Sequence, residues 1–379
     1  VAEGRILIVG AGFAGAVHAR TLAEAGYRVE VIDRRPHIAG NAYDEIDANG
    51  NRVHRYGPHL FHTNNETVVA WLKRFGAFTD YAHKVEALID DGRFVPLPVN
   101  RRTIEAVFDT KLADASAAER FLKEQAVPIE APANAAEHLN SQIGQRLTDL
   151  FFRPYTKKMW AMDLEDMSAA VVQRIPIRTD DEDHYFPNDK FQMLPDEGYT
   201  AIFESILDHD NISVRLSTEF DKAMLADYDH CFNSMPIDEY YDEAFGPLPY
   251  RSIRFHHDTR PANAEFGTAA TINFTDSGPI TRETDWGRLP GHRVADAGPN
   301  KTVTREEPCD YRDNDLERYY PVKTSDGRYD KVYQQYKTLA DREGGITFIG
   351  RCGTYQYLDM HQVINQSLAS AERFLRAAR

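Results

Sequence analysis

An α/β fold interrupted by a helical insertion is what this sequence predicts, on three observations. Residues 5–9 are an apolar run that reads as a buried parallel strand. It ends in Gly10-x-Gly12-x-x-Gly15 and passes at once into a helix-patterned segment. A second strand-like run, residues 27–32, follows Gly26 and ends in Asp33. Far downstream, residues 346–350 form another apolar strand, followed by a helical C-terminus from Gln362. The helical texture lies between these ends, over residues 103–167.

Each part of the first motif has a mechanical task. Gly10 permits the tight turn, Gly12 lets backbone approach a pyrophosphate, and Gly15 lets helix pack against strand. Phe13 opens the helix, whose free N–H groups favour phosphate. Asp33, ~20 residues on, suits a ribose hydroxyl. A lone glycine fingerprint is weak, but strand, glycines, helix, strand and acid in register identify a Rossmann-like dinucleotide-binding unit.

Composition bounds the rest. A chain of 379 residues suggests two or three domains, and 42% hydrophobic residues suffice for real cores. A formal charge of −15 argues against nucleic acid or an anionic membrane as partner. Cys231, Cys309 and Cys352 are far apart and form no CxxC, which argues against a disulfide framework or zinc site and for a reducing compartment. The first strand starts too near residue 1 for a signal peptide, and no apolar run reaches ~18 residues. A cytoplasmic location is expected. No repeat or low-complexity tract is evident.

Along the chain, residues 80–100 carry a hairpin signal around Asp90-Asp91-Gly92. Pro128, Pro132 and Pro154 punctuate the helical insertion. The acidic run 180–183 reads as a solvated loop. Residues 213–234 return to α/β texture, and residues 250–323 hold short strand-like pieces. The N- and C-terminal nucleotide-type elements are expected to form one discontinuous domain.

Two segments favour FAD over NAD. Arg34 to Tyr43, with Gly40 and Asn41, is a basic, glycine-bearing loop suited to adenine and diphosphate. Near the C-terminus a strand ends at Arg351 and Gly353, and Tyr357, Asp359 and Met360 open the last helix. Such a junction aims a helix N-terminus at a flavin edge that becomes negative on reduction.

Taken together, residues 38–43, 56–63, 155–160, 173–178, 272–276, 281–282 and 355–360 make the chain resemble the bacterial UDP-galactopyranose mutase family along nearly its full length. The resemblance implies a discontinuous FAD-binding domain (1–79, 200–245 and 325–379) and a helical bundle (100–180) with a mobile lid near 165–180. It also implies a twisted antiparallel sheet domain (80–99, 181–199 and 246–324). The implied activity interconverts UDP-galactopyranose and UDP-galactofuranose with reduced FAD and no net redox change. N5 of the flavin holds C1 of the sugar in a covalent adduct while UDP leaves and returns. A homo-oligomer is compatible with this reading.

By the same resemblance Arg174 and Arg282 contact the diphosphate. Alone, each arginine would read as a solvated ion pair. Phe151, Phe152, Tyr155 and Trp160 would read as a core stripe. The resemblance makes Tyr155 and Trp160 a nucleotide platform, with Thr156, Tyr185 and Phe186 around it and Phe151 and Phe152 among the substrate-binding residues, and puts Asn273, Tyr320 and Tyr357 at phosphate or sugar. His59 and His62 belong to a loop beside the flavin, His62 nearer N5, with His83 a weaker candidate. His54, His59 and His62 could suggest a metal, but Gly57-Pro58 breaks any helix between the first two and no carboxylate completes a set, so no metal is expected. Glu283 and Asp285 are expected at the surface or behind Arg282.

The chain departs from the family pattern at Ala39, where glycine is common, and around Glu306, which lacks the usual following tyrosine and is left without a role. Two other classes stay open: an FAD-dependent oxidoreductase of the amine-oxidase type, and a non-catalytic flavin scaffold or nucleotide-sugar sensor. The first leaves the arginines and the platform without a task.

Overall fold

The computed structural model describes residues 4–173, 176–324 and 326–377. Strand β1 (Arg5–Val9), helix α1 (Phe13–Glu24) and strand β2 (Arg28–Ile32) form the first unit. β1 lies at the centre of a five-stranded parallel sheet. In space the order is Ile212–Arg215, β2, β1, His230–Asn233, Ile346–Phe348. Strands from three distant parts of the sequence therefore share one sheet, as expected for a discontinuous domain. The last helix, Met360–Ala377, lies along α1. Ile6, Ile8, Val17, Leu22, Val31, Phe232 and Ile364 fill the core between sheet and helices.

The hairpin at residues 85–97 forms as read, with Val85–Leu88 antiparallel to Phe94–Leu97. It is one edge of a seven-stranded sheet whose longest strands are the pair Tyr250–Pro261 and Asn300–Asp310. Thr271–Phe274 and Arg282–Asp285 lie between that pair and the hairpin. All but one pairing is antiparallel. Thr271–Phe274 runs parallel to Val85–Leu88, because these strands come from separate segments and no hairpin dictates their direction.

The insertion is helical: Arg101–Phe108, Ala115–Gln125, Ala135–Leu147 and Arg153–Trp160. Asn100, Asp114 and Asn134 accept a backbone N–H at the first three starts, as short polar caps do. Their apolar stripes pack around Ile104, Leu122, Leu139, Ile143 and Leu147.

Two expectations change. Residues 181–199 were assigned to the sheet domain, but Phe191–Pro195 joins Phe61–Thr63 and Phe78–Asp80 in a three-stranded sheet. Met193 and Tyr199 pack into the same core as Ile6 and Ile8. Burial of these apolar groups against the dinucleotide unit outweighs their position in sequence. The acidic run 180–183 is not simply solvated. Arg101 pairs with Asp181, and Arg102 and Lys84 with Asp183, at 2.6, 2.6 and 3.0 Å. The run is stapled to the first helix of the bundle, at the C-terminal end of the expected lid. Among the described residues no helix is long and apolar enough to cross a membrane, and the three cysteines are unpaired.

Three core histidines are held neutral by burial. His18 is lowered to about 4, His83 to about 3, and His54 well below its ordinary value. The unfolded chain protonates these rings near pH 6.5, whereas the folded one does not. Their contribution is therefore complete above pH 6.5 and is lost as pH falls toward 4. Three extra protons in the unfolded state correspond to ~4 kcal/mol per pH unit well below pH 6.5. Asp238 and Glu306, raised by burial, offset part of this in the carboxylate range. The Tm measured by scanning fluorimetry should drop between pH 6.5 and 5. A constant Tm over that interval would show that the rings are already charged in the fold.

Candidate active site

The glycine turn is built by the absence of side chains. A Cβ on Gly10 (φ +100°) would lie 2.0 Å from Ser234 Oγ, and one on Gly15 would lie 1.9 Å from the Gly10 carbonyl oxygen. Gly40 packs on Gly12, with its own hypothetical Cβ 2.9 Å from the Gly12 Cα. Asp33 closes the turn: Oδ2 accepts the Ala11 N–H at 2.7 Å and Oδ1 the Arg35 N–H at 2.9 Å. Ala39 sits at φ 72°, the left-handed region where glycine costs least. This accounts for the family's glycine there.

These elements border a cavity of about 340 Å³. Of the residues expected there, Gly10, Gly12, Phe13, Asp33, Arg34, Gly40, Asn41, His59, Arg351 and Met360 line it. Gly15 serves packing. Gly353 is buried against the Asn233 carbonyl, so its role is close backbone approach rather than lining. Tyr357, Asp359 and His62 lie outside the lining. Arg35, from the basic loop, also lines the cavity, as do Ser234, Glu317 and Arg318, which sequence reasoning missed. Arg35 stacks over Tyr56 at 4.2 Å, donates to Asn41 Oδ1 at 2.9 Å, and is paired with Glu317. The Arg34-Arg35 doublet was a legible signal. Glu317 was not, because it arrives from the other end of the chain.

Beside this cavity a second group gathers on the long sheet. Arg282 is the register partner of both Asn273 and Glu306, and its Nε donates to Glu306 Oε2 at 2.7 Å. Glu306 is 1% exposed. Burial raises its carboxyl, and the Arg282 guanidinium opposes that rise. For Arg282 burial opposes the charge, but Glu306, Tyr155 and Tyr320 outweigh it, so the guanidinium stays charged. Glu306 thus acquires the partner that its sequence context did not reveal.

Aromatic side chains surround this arginine. Tyr320 and Tyr357 stack at 5.3 Å, with Arg351 over both rings and Trp160 edge-on to Tyr320 at 6.2 Å. Tyr155 (raised by burial to about 12), Tyr185 and His83 all feel the Arg282 charge. Phe186 stacks on His62 at 3.6 Å, and His62 Nδ1 lies 2.6 Å from Asp189. Thr156 is buried on the same helix as Tyr155 and Trp160. Phe151 and Phe152 differ. They are buried in the bundle core with Leu164 and Met167, because the turn at 148–152 directs both inward. Trp160 packs against the same cluster. Arg174 lies outside the described residues.

The helix carrying Tyr155 and Trp160 is clamped to the sheet. Lys158 Nζ donates to the Phe274 and Ile280 carbonyls at 3.0 and 2.9 Å, and Arg251 donates to the Met159 and Lys158 carbonyls. No short motif points to Arg251. Glu283, expected at the surface or behind Arg282, is buried and held by Arg260, and Asp285 by Lys301. For metals, the one grouping among the described residues is Glu182, Asp183 and His184. Its carboxylates are already engaged by His184, Lys84 and Arg102.

The fold and site together define a dinucleotide-dependent enzyme with an arginine-centred aromatic cleft beside the cofactor cavity. The family model for UDP-galactopyranose mutase matches residues 150–357, and one for NAD(P)-binding Rossmann-like domains matches 8–75. The chain is 37% identical to a probable UDP-galactopyranose mutase of Klebsiella pneumoniae, over 98% of this chain and 94% of that protein. It is 35% identical to dTDP-fucopyranose mutase of Escherichia coli, over 98% of each. A crystal structure of reduced UDP-galactopyranose mutase superposes with a TM-score of 0.77 at 19% identity, covering 100% and 95% of the two chains. The chain belongs to the UDP-galactopyranose mutase family and is a flavin-dependent isomerase.

Asp33→Ala removes the acceptor of two backbone N–H groups in the glycine turn. The variant should lose bound flavin on dilution or gel filtration, read as the flavin-to-protein absorbance ratio. Undiminished flavin content would show that Asp33 does not organise this site.

Proposed function

We propose that this protein interconverts UDP-galactopyranose and UDP-galactofuranose, with reduced FAD in the cavity beneath the glycine turn. The observation that carries the proposal is Arg282, pinned by a buried carboxylate at the centre of a ring of tyrosines beside that cavity. A diphosphate is multiply charged, and a guanidinium whose orientation is already fixed can form paired charge-assisted hydrogen bonds to it. Arg282, together with Arg174, is assigned to the diphosphate as it leaves and returns. Asn273, Tyr320 and Tyr357 are assigned to phosphate and sugar, and Tyr155, Thr156, Trp160, Tyr185 and Phe186 to the nucleotide. A tyrosine combines an apolar face with a hydrogen-bonding tip, which suits a sugar nucleotide.

The residues fit the cofactor. Gly10, Gly12 and Gly40 leave room for a pyrophosphate, Arg34 and Arg35 supply charge, and His59 and Met360 also line the cavity. When bound and reduced, FAD supplies a nucleophilic N5. The protein's part is to hold the anomeric carbon toward it and to stabilise the departing diphosphate. His62 is assigned to the neighbourhood of N5, where Asp189 fixes its ring.

A dTDP-6-deoxyhexose is a second reading, because the identity to the dTDP-fucopyranose mutase is nearly as high over the same length. Chromatography of both furanose substrates under dithionite separates them. Conversion of UDP-galactofuranose at a higher kcat/KM is expected, and the reverse order would assign the thymidine sugar.

Arg282→Ala should lower kcat/KM by roughly 30- to 1000-fold with flavin content unchanged, the scale of losing a charge contact worth ~2–4 kcal/mol. Kinetics near those of the parent would remove Arg282 from this role. Protein reconstituted with 5-deaza-FAD, which lacks a lone pair at that position, should not turn over. A hydride-transferring oxidoreductase would survive the replacement, so turnover comparable with FAD would favour that class.

A further inference from the structure

His54 and His292 lie on opposite sides of the seam between the dinucleotide unit and the long sheet. Both are 1% exposed. His54 ends the strand Arg52–His54, and His292 lies in the turn after Trp286–Arg288. Their Nε2 atoms are 2.9 Å apart. At the other ends of the rings, His54 Nδ1 is 3.0 Å from the backbone nitrogen of His59, and His292 Nδ1 is 2.7 Å from the Pro290 carbonyl oxygen.

The two outer partners dictate every proton. A backbone N–H only donates, so His54 Nδ1 must be bare and its proton must sit on Nε2. A carbonyl only accepts, so His292 carries its proton on Nδ1 and Nε2 is bare. The central contact is then a donation from His54 Nε2–H to His292 Nε2. All three hydrogen bonds point one way, from the His59 amide to the Pro290 carbonyl, and both rings are neutral. Protonating His54 would place a hydrogen against the His59 N–H, and protonating His292 would place one against His54 Nε2–H.

The surroundings enforce this state. Trp286, fully buried, lies 4.8 Å from the His54 ring and nearly parallel to the His292 ring. Tyr199 closes another side edge-on at 5.6 Å. Of the charged groups facing the pair, Arg52 disfavours a second proton on either ring, and Asp44 favours one on His292. Burial is the largest influence and keeps both rings neutral.

The donor end matters for function. His59 lines the dinucleotide cavity, and its Nδ1 returns a hydrogen bond to the Gly57 carbonyl. Gly57 is in the left-handed region, and a Cβ there would lie 3.2 Å from Glu306 Oε1. The Gly57–His59 loop therefore lies between the cofactor cavity and the carboxylate that orients Arg282.

We propose that His292 is a positioning residue: acting through His54, it fixes the His59 amide and so sets the Gly57–His59 loop against the bound cofactor. The proposal rests on the reading that the cavity holds FAD.

Three measurements test it. Long-range ¹⁵N–¹H correlation spectra of the holoprotein should show neutral His54 protonated on Nε2 and neutral His292 protonated on Nδ1, unchanged from pH 8 to 6. The opposite tautomers, or a charged ring, would overturn the relay. His292→Phe keeps a ring but removes the acceptor. It should shift the flavin absorption band and weaken FAD retention by roughly tenfold, the equivalent of ~1.4 kcal/mol. His292→Gln, whose amide oxygen can accept from His54, should restore both. A lowered Tm with flavin spectrum and retention unchanged in His292→Phe would make the pair structural only. Failure of Gln to restore what Phe loses would also overturn the proposal. If the parent protein binds no FAD, the cofactor reading fails instead, and the tautomer measurement on the protein alone still decides the relay.

Discussion

The site depends on one steric constraint, the approach of three backbones at the C-terminal edge of the parallel sheet. Gly10 faces Ser234, Gly15 sits on the Gly10 carbonyl, and Gly12 meets Gly40. A Cβ at Gly10, Gly15 or Gly40 would displace backbone or the Ser234 side chain, whereas one at Gly12 would make only ordinary contact with Gly40. Because the loops touch there, Asp33, Arg35 and Asn41 reach one cavity, and the residues that follow the strands 230–233 and 346–348, among them Ser234, Met235, Gly350 and Arg351, complete its wall. A Cβ at Gly15 would separate α1 from β1 and move the helix N-terminus away from a phosphate.

The second constraint is electrostatic. A carboxylate as buried as Glu306 is unfavourable unless paired, and the pair it makes with Arg282 gives uncertain net stability. Its value lies in direction. Cross-strand neighbours hold their side chains within hydrogen-bonding reach, so the guanidinium is oriented before any ligand arrives. The clamp by Lys158 and Arg251 does the same for the helix bearing Tyr155 and Trp160. A flexible, doubly charged ligand then meets partners that need little reorganisation, which is where binding free energy is otherwise lost.

Burial also selects protonation states. His18 and His59 are pushed down to about 4, His83 to about 3, and His54 well below its ordinary value. His59, which lines the cavity, is thus a neutral hydrogen-bonding ring over the physiological range, and the positive charge there is carried by arginines such as Arg34, Arg35 and Arg351. In a chain with a formal charge of −15, this places cations where an anionic ligand is to be held.

The sequence by itself determined the dinucleotide unit, the helical insertion, the hairpin at 85–97 and the family. These rest on local rules: glycines at fixed offsets, periodicity of apolar residues, turn residues, and motifs long enough to be specific. Arg282, Trp160 and the glycine turn were legible for that reason. Only the tertiary structure decided the partner of Glu306, the arrival of Glu317 at Arg35, the inward turn of Phe151 and Phe152, and the join of Phe191–Pro195 to the dinucleotide core. It also decided the parallel pairing of Thr271–Phe274 with Val85–Leu88, and the meeting of His54 with His292 across 238 residues of sequence. Each is a contact between segments distant in the chain. Its free energy comes from burial and pairing that no local pattern encodes.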